Sequence, residues 1–423
     1  MARNRLVDAL TGAGVTAAAE LRRRLGVSPA TLSRLVAEAG DTVLRIGRGR
    51  RVGYARVRTL PGLPPRIPVY RVDADGDVTP AAEIVALDGG ATWVAAHGGA
   101  GHTHVGLPPV VHDMAPSGYL GRHFSDTQAD LSLPSRVQDW SDDHRLIAVA
   151  RRGEDCLGDL IIGEESLQRH LDRPPVPVSE SDYPRLAESA ARGAVGSSAG
   201  GEQPKVAAFC GGRHVIVKFT PGDGSPSDAR WRDLIVCELL ALEVLAAHGI
   251  ATPSARIVEG GGRRFLEVQR FDRNGARGRV GVLSLGPIDD DLSGGRDTWS
   301  KAAARLHAAK LLDADDLRRV RLLEAFAILI ANGDRHFGNV TFFADGLSVR
   351  PRLRLAPAYD MLPMSFAPSA GVVPEVARPV LTPRAELLDV WPAAAGLATA
   401  YWDAVATDRR VSAAFRDSVK MRS

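Results

Sequence analysis

Leu322, Leu323, Phe326, Leu329 and Ile330 recur at helical spacing, the pattern stops at Asn332-Gly333, and Asp334-Arg335-His336-Phe337-Gly338-Asn339 follows at once. No other stretch constrains the chain as strongly. An apolar helix of this kind must be buried, so its end carries a polar loop into the interior of a domain. That loop presents a carboxylate and an amide five positions apart.

Two further groups of residues give that loop a task. Downstream, Leu353 to Ala356 reads as a strand leading into Ala358-Tyr359-Asp360, a second carboxylate in the same half of the chain. Upstream, Gly196 to Gly201 with Glu202-Gln203-Pro204-Lys205 forms a glycine-rich loop, followed by apolar Val206 to Phe209, a turn at Gly211-Gly212 and the strand His214 to Phe219. Glycines such as Gly200 and Gly201 let backbone amides approach phosphate oxygens, and Lys205 or Lys218 would add charge. Lys218 lies in an otherwise apolar strand, where an unpaired charge is expensive, so it needs a partner. Glu238 is the natural candidate, on a helix Arg230 to His248 that shares its face with Leu234, Leu242 and Leu245. Phe265 to Arg273 reads as an edge-like strand running into a turn, where an inter-lobe hinge would offer backbone groups to adenine.

Each signal alone has a structural reading, as a cap, a turn or a plain hairpin. In this order they match the protein-kinase arrangement. A strand lysine pairs with a helix glutamate to position ATP phosphates, an Asp (here Asp334) accepts the hydroxyl proton, and an Asn and a late Asp (Asn339 and Asp360) hold metal ions.

The N-terminal stretch carries a different signal. Met1 to Arg58 contains twelve arginines against four carboxylates, a net of +8, which leaves −5 for the rest of a chain whose formal total is +3. That asymmetry points to a polyanionic partner. Asn4 to Leu10 is a short apolar-periodic segment, Thr16 can cap a helix running to Leu25, and Ser28-Pro29 starts another that ends at Gly40. Thr42 to Ile46 and Val52 to Val57 read as strands around a basic turn. Three helices and a basic hairpin make a winged helix-turn-helix. Ser28, Thr31, Ser33 and Arg34 would face base edges, and Arg48, Arg50 and Arg51 would hold phosphates. A bundle that only dimerises is the alternative.

Between these regions, Pro61 to Pro68 reads as an extended linker. Val69 to Val72, Ala82 to Leu87, Trp93 to Ala96, Leu146 to Ala150 and Leu160 to Ile162 read as strands. His97, His102, His104 and His112 cluster without supporting carboxylates, and Cys156, Cys210 and Cys237 lack metal-type spacing, so no metal centre is expected there. No run of eighteen apolar residues occurs, which predicts a cytoplasmic chain without membrane contact. The expected fold class is α+β: a two-lobed protein-kinase-like fold preceded by a winged helix-turn-helix. The divisions are residues 1–60 for the head, 61–185 for a β-rich subdomain, 186–275 for the N-lobe and 276–423 for the helical C-lobe.

Ser197-Ser198-Ala199-Gly200-Gly201 with Gln203-Pro204-Lys205, Val217-Lys218-Phe219, Gln269-Arg270-Phe271-Asp272-Arg273, Asn332-Gly333-Asp334-Arg335-His336 with Asn339, and Tyr359-Asp360 together resemble the HipA family of serine/threonine kinases from bacterial toxin–antitoxin systems. The resemblance implies an ATP- and Mg2+-dependent enzyme acting on a protein, with Asp334 as catalytic base and Asn339 and Asp360 as magnesium ligands. It further implies Lys205 and Lys218 on the phosphates, Gln269 and Phe271 at the adenine hinge, His336 and Tyr359 lining the pocket, and autophosphorylation at Ser197 or Ser198. Operator DNA is the partner expected for the head, and a separate antitoxin and a homodimer stay open. Leu283 to Leu292 stands where the family has an activation-loop motif, and it lacks that motif. A small-molecule phosphotransferase and a DNA-binding regulator that senses nucleotide are the competing readings.

Overall fold

A computed structural model describes residues 2–97, 99, 101–117, 124–191, 203–369, 372–378 and 381–420. Its head has helices Ala2–Leu10, Ala18–Leu25 and Pro29–Ala39 and a small antiparallel sheet in the order Thr16–Ala17, Gly53–Arg56, Val43–Ile46. Ser28 caps the third helix as its sequence predicts, its Oγ accepting the Thr31 N–H at 3.2 Å. Gly26, at φ 66°, closes the helix before it. Thr16 does not cap. It pairs with Tyr54 in the sheet, and the helix begins at Ala18 with no side-chain cap, because the ladder has already taken the threonine's backbone. Leu6, Leu10, Leu21, Leu32 and Leu35 form the head's own core.

The segment before Pro61 does more than tether that head. Val57 bridges Leu87, the Arg58 N–H donates to Ala86 O at 2.8 Å, and Leu44, Ala55 and Val57 share a buried cluster with Val85 and Leu87. The head is therefore docked on the next layer. That layer is an antiparallel sheet ordered His102–Val105, Ala91–Ala96, Val78–Ala86, Ile67–Val72, Leu160–Ile162. Leu146 to Ala150, expected as a strand, lies instead in the helix Asp142–Arg152. A short apolar run fits either state. Here the capping box decides: Ser141 Oγ accepts the His144 N–H at 3.3 Å, and His144 Nδ1 accepts the Ser141 N–H at 3.1 Å.

The second five-stranded sheet runs Ala255–Gly260, Arg263–Gln269, Arg213–Phe219, Lys205–Cys210, Pro177–Val178. The long helix Pro226–Ala247 lies across it, placing Ile235 and Leu239 against Leu266 and Val268. The strand ending at Gln269 is thus interior, not an edge, and both its Leu266 and its Glu267 are buried. Tyr183 and Arg256 satisfy the Glu267 carboxylate inside.

The remaining layer is mainly helical: Leu285–Leu292, Trp299–Ala308, Ala314–Leu329, Trp391–Thr407 and Ala413–Val419, with a small sheet Val282–Ser284, Thr341–Phe343, Arg354–Leu355. Leu283 to Leu292 is an ordered strand and helix here. Asp289 is fully buried and bonded to Arg305, which ties this segment to the helix Trp299–Ala308. No helix among the described residues is long and apolar enough to cross a membrane.

Candidate functional site

The helix Ala314–Leu329 stops where Ala331 turns to φ 60°. Asn332 follows, with no exposed surface, and organises what comes next. Its side-chain oxygen accepts the Asp334 N–H at 3.0 Å, and its amide donates to the backbone oxygen of Asp360 at 3.3 Å. One buried side chain thus ties both acidic segments together. Asp360 itself has φ 58°, a left-handed conformation that costs a non-glycine residue of order 1–3 kcal/mol and persists only when its surroundings enforce it.

Lys218 enters from the facing sheet. Its Nζ donates to Glu238 Oε1 at 2.6 Å and Oε2 at 2.8 Å, and it also contacts Asp360 Oδ1. Lys205 is opposite Lys218 in the strand register, and both lysines are buried. Two carboxylates therefore compete for Lys218. Burial pushes the Asp360 carboxyl up, but Lys218 and Lys205 outweigh it and hold its pKa at about 2. Burial dominates at Glu238 and raises it. Burial likewise lowers Lys205. Asp360 is the more acidic of the two carboxylates.

Asn339 is buried, and its amide donates to the Asp334 backbone oxygen at 3.0 Å, which leaves the side-chain oxygen as the available ligand atom. His336 Nδ1 accepts the Gly338 N–H at 3.1 Å, which assigns the proton to Nε2, 3.9 Å from Asp334 Oδ2. Tyr359 hydrogen-bonds Thr341 at 2.7 Å and also contacts the Gly338 carbonyl, and its ring lies 5.7 Å from that of Phe271.

These groups surround one cavity of about 530 Å3. It brings together Lys205, Lys218, Glu238, Gln269, Phe271, Asp334, His336, Asn339, Tyr359 and Asp360, all of them expected at the site. The Gln269 N–H already donates to Ser254 O at 2.8 Å, so its amide hydrogen is not free for the cavity. Gly200, Gly201, Ser197 and Ser198 lie outside the described residues. Ser28, Ser33, Arg34, Arg48 and Arg51 are exposed on the head, Thr31 is half-buried there, and none of them lines the cavity. The Arg50 side chain is outside the described part.

Sequence reasoning missed what five residues contribute. Asp113 lines the cavity from the first sheet layer, accepts the Ser284 N–H at 2.7 Å, and is pushed up to about 6 by burial. Nothing in its local sequence marks it. Asn332 was read as a helix stop, although its pairing with Asp360 O makes it the positioning residue of the site. Arg270, Asp272 and Arg273, read as part of a hinge, form a buried charge network with Asp155: Arg270 NH1 and Arg273 NH2 lie 3.1 and 2.9 Å from Asp155, and Arg273 NH1 lies 2.6 Å from Asp272. The arginines outweigh desolvation and hold the part-exposed Asp155 carboxyl at about 2. An alternation of charge in Gln269-Arg270-Phe271-Asp272-Arg273 was the one available signal.

The donor set suits a magnesium-bound nucleotide. Asp360 and the Asn339 oxygen are hard oxygen ligands, and magnesium is commonly held by one or two such groups with phosphates completing its sphere. The two buried lysines face the same space.

Residues 197–416 match the model of the HipA-like C-terminal domain, and residues 63–171 match that of the YjjJ-like toxin, middle domain. The chain is 36% identical over 417 residues to the toxin YjjJ of Escherichia coli (strain K12), covering 95% of this chain and 93% of that one. The chain belongs to the HipA-like toxin family. Among solved structures, a Shewanella oneidensis MR-1 HipA, in complex with HipB and operator DNA, aligns at TM-score 0.47 and 15% identity over 84% of this chain and 89% of that one. A Helicobacter pylori proinflammatory kinase, CtkA, aligns at TM-score 0.30 and 15% identity over 38% and 54%. The cavity joins both family segments: Asp113, Ser117 and Leu157 come from the YjjJ-like middle domain, and the lysines, Glu238 and the Asp334 loop come from the HipA-like part.

Proposed function

We propose that this HipA-like chain is an ATP-dependent serine/threonine protein kinase. The observation that carries the reading is Lys218, held by Glu238 and Asp360 at the wall of a cavity that Asp334 and Asn339 also line. In this reading Lys205 and Lys218 hold the phosphates, and Asn339 and Asp360 hold magnesium. Asp334 takes the proton of the attacking hydroxyl, with His336 beside it. Bound magnesium supplies charge neutralisation on the phosphates, and the protein supplies position, which is most of what phosphoryl transfer requires. Phe271, Tyr359 and the Gln269 backbone would border the base. Autophosphorylation at Ser197 or Ser198 limits the activity in this proposal, since a phosphate in the glycine-rich loop repels ATP.

The head is read as a winged helix-turn-helix that takes the kinase to operator DNA. Its three helices, its small sheet and its exposed Ser28, Ser33, Arg34, Arg48 and Arg51 support that part. A cytoplasmic location, nucleoid-associated when DNA is bound, and an antitoxin partner belong to the same proposal. The test is incorporation of labelled γ-phosphate in cell lysate by the parent chain and by Asp334→Asn. Loss of incorporation of at least about a thousandfold is expected for a missing base and its positioning role. Undiminished transfer by the variant would sink the mechanism.

A further inference from the structure

A second cavity, of about 460 Å3, lies against the strands Lys205–Cys210 and Pro177–Val178 at one edge of the same sheet. Ala207, Ala208 and Phe209 of the strand Lys205–Cys210 form its floor, and five arginines line it against two carboxylates, Glu154 and Asp155. Three of the arginines direct donors at backbone oxygens, Arg273 at Gly158 O and Cys156 O among them. Arg277 bonds His170 O at 3.3 Å and Leu171 O at 3.1 Å, and Arg279 bonds Glu154 O. Carbonyls hold a guanidinium in place without neutralising it.

The polar atoms left over describe a ligand. Arg279 is 4% exposed, yet its NH1 is buried and meets no hydrogen-bond partner among the described residues. Burial and the neighbouring Arg273 push its pKa down to about 9, as expected of a cation short of countercharge. His170 Nδ1 faces the Arg279 NH2 at 3.2 Å and must accept, so the proton is on Nε2, which is also buried without a partner among the described residues. Glu154 Oε2 is an acceptor of the set without a partner among the described residues. Two unmet donors beside one unmet acceptor complement an oxyanion on a body that carries hydroxyls. Phe209 and His214, with ring centroids 5.0 Å apart and planes inclined at 53°, add two ring surfaces, and the volume is that of a small-ligand pocket.

We propose that this cavity is a second binding site, distinct from the Lys218 cleft, for a nucleoside monophosphate. Arg277 and Arg279 take the phosphate, Glu154 accepts from the ribose, and Phe209 and His214 border the base. The site has a physical route to the cleft. Arg273 lines this cavity and Arg270 lines the other, and both are bonded to Asp155 and Asp272. A phosphate that draws on Arg273 therefore acts on Arg270.

Calorimetric titration of the full chain with AMP, GMP, CMP, UMP and inorganic phosphate tests the proposal. At least one monophosphate binds with one-to-one stoichiometry, and Arg277→Ala weakens it on the order of tenfold to a hundredfold, the effect of removing a charge-assisted hydrogen bond. Arg279→Met abolishes it. Because Arg279 is buried and its variant can lose stability, Val176→Trp, at the exposed mouth of the cavity, supplies an independent block, and thermal unfolding checks that each variant is folded. The proposal is overturned if no monophosphate binds, if inorganic phosphate binds as tightly as the nucleotides, or if binding is undiminished in Arg277→Ala and Val176→Trp, which would assign it to the cleft.

Discussion

Replacing Lys218 with methionine keeps most of the side chain's volume and removes only its charge, leaving Glu238 and Asp360 facing each other without a cation between them. Glu238 is 1% exposed, and Asp360 retains only 15% of its side-chain surface. Breaking a buried ion pair by removing one partner costs about 3–5 kcal/mol, because the orphaned charge keeps its desolvation penalty. An independent route gives a similar scale. Asp360 is held near 2 against an ordinary 3.8, which corresponds to roughly 2–3 kcal/mol of stability. The sign follows from the direction of that shift: a depressed carboxyl stabilises the fold above pH 3.8, and this contribution is lost as pH falls toward 2. In Lys218→Met both acids rise under burial and take up protons, so the deficit relative to the parent is largest near pH 8 and shrinks by pH 4.5. Urea unfolding followed by tryptophan fluorescence at the two pH values measures it. A loss under about 1 kcal/mol at pH 8, or one that grows on acidification, would refute the shared-lysine argument.

Asn332→Ala removes both bonds that couple Asp334 to Asp360 and leaves the Asp334 N–H unpaired, so stability should fall by about 2–4 kcal/mol by chemical denaturation, with phosphate incorporation falling as well. Asp272→Asn strips charge from a site shared by Arg270 and Arg273 and should destabilise by about 3–5 kcal/mol, visible as a drop in Tm. Arg48→Glu with Arg51→Glu should weaken DNA binding uniformly across sequences and flatten its salt dependence by about two counterions, measured by fluorescence anisotropy against salt. An unchanged slope would separate these residues from phosphate contact.

Part of the site was legible in the chain because its residues are chemically out of place. A lysine inside Val217-Lys218-Phe219 demands a partner whatever the fold, and a helix that ends in Asn332-Gly333-Asp334 can only deliver polar groups to an interior. Glycine turns and Ser28-Pro29 were equally readable, since backbone conformation there is local. Other features were not. Leu146 to Ala150 carries no period that separates helix from strand, and its state was set by Ser141 and His144 outside the run. Whether the strand Arg263–Gln269 is an edge depends on the strand Ala255–Gly260 beside it.

Local composition determined which residues could not tolerate solitude in the interior: Lys218, Glu238, Asp334, Asp360. Tertiary structure decided who relieves them, since Lys218 and Asp360 are 142 positions apart and meet only when two layers close on one cavity. It also decided that Asp113 joins that cavity, that Arg270 and Arg273 share Asp155, and that the basic head is docked on its neighbour. Electrostatic need is a property of a residue in its strand or loop, but satisfying it is a matter of distance, and distance between remote segments belongs to the fold.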